Sequence, residues 1–220
     1  AKLECCGSPQ HNAEVRRLPL SNAAPEAREL EVGVFAEVCL ETQRRDMAHP
    51  GFVKLTVNAS MEDDVLLFEK RASDAKDFKY LYCMLLGPSK ARWCTDRLVM
   101  PGRGKSVTEA LLQPILGRES IESPVEPGIC ARVNAAVKAG GAAQYYFVMG
   151  YAPTKKQALM DAQELKAELD ASFDLAWAHA NSALRFAGLT RGKAELFERM
   201  AGKLLLGLPQ KRTDELPGAA

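Results

Sequence analysis

The stretch W-C-T-D-R-L-V-M-P-G-R-G-K-S, from Trp93 to Ser106, gathers an aromatic ring, an Asp-Arg pair and a Gly-Arg-Gly turn within fourteen residues. Glycine admits backbone shapes that a side chain forbids, so a loop of this kind can bring its charges close to a solute. A carboxylate accepts hydrogen bonds and a guanidinium donates them in a planar fork. Adjacent in a chain, as Asp96 and Arg97 are, they either bind each other or hold the hydroxyls of a polyol from two sides. The competing reading is a solvated surface loop with an internal ion pair, which contributes little.

Something must hold that loop, and 220 residues suffice for one large sandwich or two small domains. Apolar residues make up 47% and charged residues 26%, the composition of a chain with a real core. A net charge of +1 argues against a nucleic-acid partner. No apolar run approaches the roughly 20 residues that span a bilayer, and the first ten residues lack the apolar core of a signal peptide. The chain does not open with methionine, so it is expected to be processed or cut from a longer product. Cysteines stand at 5, 6, 39, 83, 94 and 130 without a C-x-x-C, and His11, His49 and His179 are isolated, so no metal site is expected. The thiols read as reduced and structural, in a cytosolic compartment.

Period-two alternation predicts strands over 13–22 and 28–41, the latter with Leu30, Val32, Val34, Ala36, Val38 and Leu40 on one face and Glu29, Glu31, Glu37 and Glu41 on the other. A polar connection follows over 43–50, then further strands over 52–59 and 65–68. K-Y-L-Y-C-M-L-L at 79–86 reads as a strand buried on both faces, stopped by Gly87-Pro88. Residues 107–116 are ambiguous, with room for a short helix. Strands over 129–137 and 144–151, joined by K-A-G-G-A, read as a hairpin. Beyond Thr154 the period changes. Thr154 and Gln157 form a capping-box start, and apolar residues recur every three or four positions to Ala187, with a possible break at 170–172. Trp177 belongs to that apolar stripe and is expected in a core, whereas His179 lies off it. Gly188 ends the segment, and a second helix follows Thr190. A block of strands followed by a block of helices is a mainly β fold with an α appendage, not a doubly wound sheet.

Other motifs fall away. Gly-Lys-Ser at 104–106 lacks the earlier glycine of a phosphate loop, since position 99 is valine. His49 precedes Pro50 with no visible partner and reads as a residue fixing a turn. Glu62, Asp63 and Asp64 read as a solvated turn.

Five stretches in the same order resemble the glycoside phosphorylase family of the cellobiose phosphorylases (glycoside hydrolase family ninety-four). They are E-V-R-R-L-P-L-S-N at 14–22, R-E-L-E-V-G-V-F-A-E-V-C-L at 28–40, H-P-G-F-V-K-L at 49–55, T-D-R-L-V-M-P-G-R-G at 95–104 and A-E-L-F-E-R-M-A at 194–201. Within it the chain resembles the phosphorylase-like C-terminal region of cyclic β-1,2-glucan synthases. Cys94 stands where the family carries glutamate, and Met100-Pro101 where it carries Phe-Leu. The resemblance implies an antiparallel β-sandwich, supersandwich-like and galactose-mutarotase-like, over 1–152, a two-helix linker over 153–208 and an extended tail over 209–220. It implies that Thr95, Asp96, Arg97 and Arg103 meet the acceptor-side sugar of a β-glucan oligosaccharide. Catalysis is then expected from an (α/α)6 barrel outside this chain, with inorganic phosphate as co-substrate bound there and no cofactor here. A homodimer is compatible with this reading, as is a cytoplasmic location, on the inner face of the membrane for a synthase. A stand-alone carbohydrate-binding module and a structural or dimerisation domain remain the alternatives.

Overall fold

The structure, a computed structural model, describes residues 2–71, 79–97, 121 and 123–205, without the side chains of 202, 203 and 205. Arg103, the 104–106 motif, the 107–116 segment and the tail from 209 therefore lie outside the described residues.

Nine described strands form two antiparallel sheets. One is six-stranded, in the order β1 (Glu4–Gly7), β2 (Ala13–Ser21), β9 (Ala142–Ala152), β6 (Tyr80–Leu86), β5 (Val65–Lys70), β4 (Val57–Glu62). The other is three-stranded, with β8 (Pro127–Val137) between β3 (Arg28–Glu37) and β7 (Arg92–Asp96). The expected antiparallel sandwich is present, and successive residues show how it is filled. In β5, Leu66 and Phe68 enter the core between the sheets, while Val65 and Leu67 enter a second core on the opposite face. In β6, Leu81, Cys83 and Leu85 belong to the first core and Tyr82 and Met84 to the second. A strand covered on both faces has no polar side to alternate with, hence its continuous apolar run.

The second core is closed by helix α3 (Lys155–Ala167), which presents Ala158, Ala162 and Leu165 at helical spacing. Two of these are alanines, which let the helix lie close to the sheet. The Thr154 hydroxyl accepts from the Gln157 amide at 3.1 Å, the start read from the sequence. This helix is followed at once by α4 (Leu169–Phe186), so the break falls at Glu168, two residues before the expected one. The first turn of α4 is tied down: Asp170 accepts from Arg17 at 2.8 Å and from Tyr146 at 2.6 Å, and the Arg17 guanidinium lies 4.2 Å from the Phe173 ring centre. These bonds, that from Tyr146 first, hold the Asp170 carboxyl below the usual carboxylate range. The first compact unit accordingly runs to Leu175 and the second covers Ala176–Ala220.

Three expectations are corrected. β8 and β9 are not a hairpin: they lie in different sheets, and the K-A-G-G-A segment arches from one sheet to the other, with Gly140 at φ +64°. Residues 43–54 are not a connection and a strand start but two short helices, α1 (Gln43–Ala48) and α2 (Pro50–Lys54), with Pro50 at the first helical position where its missing N–H costs nothing. In the second unit Trp177 is 65% exposed. That unit contains the end of α4, a turn at Gly188 with φ +64°, and α5 (Arg191–Leu205). There the Leu189 amide reaches the Leu184 carbonyl at 3.0 Å and closes the helix end. No described helix is long and apolar enough to cross a membrane.

The Tyr82 hydroxyl is buried in the second core with no hydrogen-bond partner among the described residues. Burial foremost, then the charge of Asp161, raises its pKa above the phenol norm. An unpaired buried hydroxyl costs free energy that phenylalanine does not, so Tyr82→Phe is expected to be neutral or to stabilise by up to about 1 kcal/mol. Urea midpoints test this, and a loss of more than about 1 kcal/mol overturns it.

Candidate functional site

Strand β7 carries the start of the Thr-Asp-Arg motif at the edge of the three-stranded sheet. Its pairing with β8 runs Arg92 to Arg132, Trp93 to Ala131 and Cys94 to Cys130, then shifts so that Asp96 faces Pro127. Irregular pairing of this kind bends a strand and re-aims the side chains beyond it. Trp93 is buried in the inter-sheet core and anchors the strand. On its other side Cys94 and Cys130 are buried thiols whose pKa burial raises, that of Cys130 to about 12.

Past the irregularity, residues 125–126 brace the motif. The Val125 amide donates to Asp96 Oδ2 at 3.3 Å, and the Arg97 amide donates to the Glu126 carbonyl at 2.8 Å. The Arg97 guanidinium faces Glu37 Oε1 at 3.1 Å and Glu126 Oε2 at 3.5 Å, and its side chain is 37% exposed. Asp96 and Arg97 thus share one partly open edge, each held by contacts from elsewhere in the fold. Asp96, Glu37 and Glu126 set carboxylate acceptors around the Arg97 donor fork, a combination that can meet hydroxyl groups. Thr95 is 1% exposed and cannot meet a solute here unless the strand opens. The acidic partners went unread in the sequence. Glu37 was one of several alternating glutamates, and Glu126 sits in a Pro-rich connection with no pattern of its own.

Two further clusters have no single motif behind them. His11, expected to be isolated, lies with Nδ1 3.4 Å from Asp161 and Nε2 3.5 Å from Glu164. One ligand atom from each of the three lies within 4.8 Å of the others. With a carboxylate on each ring nitrogen, this arrangement serves first as a clamp from the β1–β2 loop to α3. The second cluster surrounds Glu41, which the alternation placed on a solvent face. Its carboxylate instead meets Lys70 where both are almost sealed from solvent, 6% and 4% exposed. Arg45 adds a contact at 3.3 Å. His49 stands between α1 and α2 and is held there through its backbone: its amide donates to the Arg45 carbonyl at 2.9 Å, its carbonyl accepts from Val53 at 3.2 Å, and its side chain makes no capping bond.

Residues 1–168 match the family model for the glycosyl hydrolase 94 supersandwich domain. Over 219 residues the chain is 26% identical to the cyclic beta-(1,2)-glucan synthase NdvB of Rhizobium meliloti (strain 1021). That alignment takes in 94% of this chain and 8% of the relative, so the chain spans a small part of the relative's length.

Proposed function

Because this chain belongs to the glycosyl hydrolase 94 supersandwich family, we propose that it is the sugar-positioning sandwich of a β-glucan-active phosphorylase or cyclic β-1,2-glucan synthase. In this reading Asp96 and Arg97 contact the acceptor-side glucose unit and Thr95 backs them from within the strand. The bond-making chemistry belongs to a separate (α/α)6 domain: phosphate attacks the anomeric carbon with inversion while a carboxylic acid protonates the leaving oxygen. Phosphate is bound there, and this chain needs no cofactor for its part.

One observation carries the reading: a partly exposed guanidinium held between two carboxylates, beside a third, at the edge of the smaller sheet. Such a group is already oriented, so a sugar diol meeting it loses little to side-chain ordering. Arg97→Ala in the full-length enzyme is expected to raise the acceptor KM about tenfold or more, the scale of one charged hydrogen-bond pair. Unchanged acceptor kinetics overturn the assignment.

A second reading draws on α5, where Leu196, Phe197, Met200 and Leu204 form an exposed apolar stripe. Such a stripe marks an interaction surface, which favours a structural or dimerising role. Titration of the chain with β-1,2-glucan separates the two: binding supports the sandwich reading, and a dimer that binds no glucan supports this one.

A further inference from the structure

A cavity of about 300 Å³ lies beside helices α1 and α2 and is lined by Glu41, Arg45, His49, Phe52, Thr56 and Lys70. The Glu41–Lys70 ion pair lies against it. One Glu41 oxygen takes Lys70 and Arg45, and the other accepts from the Thr42 amide at 3.0 Å. An ammonium has three donors, and among the described residues Glu41 is the one side-chain partner of Lys70. A buried charge that keeps unused donors beside a cavity is prepared for a polar ligand. Arg45, His49 and Phe52 form the open side, with Phe52 exposed over 72% of its surface, while Val53 is buried and Thr56 half-buried beneath them. The wall is held by one side-chain and one backbone bond: the Thr56 hydroxyl donates to the Val53 carbonyl at 2.8 Å, and the Arg71 amide to the Thr56 carbonyl at 2.9 Å.

We propose that this cavity binds one pyranose unit of a neutral glucan, as a second sugar site separate from the Asp96–Arg97 loop. A hydroxyl can accept from Lys70 and donate to Glu41 at once, and a vicinal diol does so with both groups in place. Hydrogen bonds to charged groups gain strength where solvent is excluded. The exposed Phe52 ring offers the apolar face that the C–H side of a sugar ring covers. The volume sits at the lower end of ligand pockets and holds a single ring, not a chain. A phosphate fits the chemistry poorly, because the carboxylate repels it and already engages two of the cations. The proposal rests on the reading of the chain as glucan-binding, and its test treats the two sites separately.

That test is an amide-resolved NMR titration of the 220-residue chain with a linear β-1,2-glucooligosaccharide and, in parallel, with inorganic phosphate. The sugar is expected to shift the amides of residues 49–56 and Lys70. Phe52→Ala is expected to weaken that response about tenfold, and Arg97→Ala to leave it unchanged. Phe52 is exposed, so its loss spares the fold, and the unaltered chain gives its own answer. Shifts confined to Asp96, Arg97 and their neighbours overturn the cavity proposal and leave the loop reading standing. Shifts at the cavity alone do the reverse. Shifts at neither overturn both, and a cavity response to phosphate but not to sugar overturns the pyranose proposal.

Discussion

Glu41→Ala is expected to destabilise the chain by about 3 kcal/mol, the low end of the range for stripping one partner from a buried ion pair. The loss is not the worth of the attraction. It arises because the Lys70 ammonium, 4% exposed, is left without its counter-charge. Lys70→Met alone leaves the carboxylate with Arg45 and the Thr42 amide and is expected to cost less. The double substitution removes both charges and is expected to recover most of the loss. The pH dependence has a definite sign. The hydrogen bond from Lys70, more than any other cause, holds the Glu41 pKa below the ordinary carboxylate value. A depressed pKa stabilises the fold above the unfolded-state pKa, about 4.3, and that stabilisation fades as pH falls through the lower, folded value. The gap between wild type and Glu41→Ala is therefore widest near neutrality and narrows in acid. Urea unfolding at pH 7 and pH 3.5 measures it, and a gap that fails to narrow overturns the assignment.

Phe68→Ala is expected to cost about 4 kcal/mol, among the largest effects of any single truncation here. Its ring is wholly buried between the sheets, on a strand whose neighbours in the same sheet are β4 and β6. Both sheets are hydrogen-bonded frameworks, so neither collapses readily onto the void, and the cavity cost adds to the lost transfer energy. Phe52→Ala, the same substitution at an exposed ring, is expected to stay within about 0.5 kcal/mol. Denaturant midpoints at constant m-value compare them. A similar loss at both positions contradicts the burial that separates them.

Most of the sandwich was legible because its signals are local. β2 and β3 follow from alternation, β6 from an unbroken apolar run, and the β4–β5 turn from three acids, of which Asp63 and Asp64 take positive φ. The misreadings share a cause: a local pattern compatible with two outcomes, decided by distant contacts. K-A-G-G-A suits a hairpin, but β9 had both edges claimed by β2 and β6, and β8 by β3 and β7, so the turn had to bridge the sheets. Val53, Leu55 and Val57 alternate, yet Pro50 opens a helix there, and of the three Leu55 is left exposed. The site was legible to a similar depth. Asp96 and Arg97 stood out as a motif, whereas their partners Glu37 and Glu126 lie far away in sequence. So does Lys70, 29 residues from Glu41. No spacing rule links such pairs, and only the closed fold brings them together.

Consecutive residues of β5 and β6 feed opposite cores, which makes their reading frame a structural quantity. Insertion of one residue in the middle of β6 would send Tyr82-type side chains toward the partner sheet and Leu81-type ones toward the helix, mismatching two interiors at once. Length variation among relatives is then tolerated at surface turns such as Asp63–Asp64 and forbidden within these two strands.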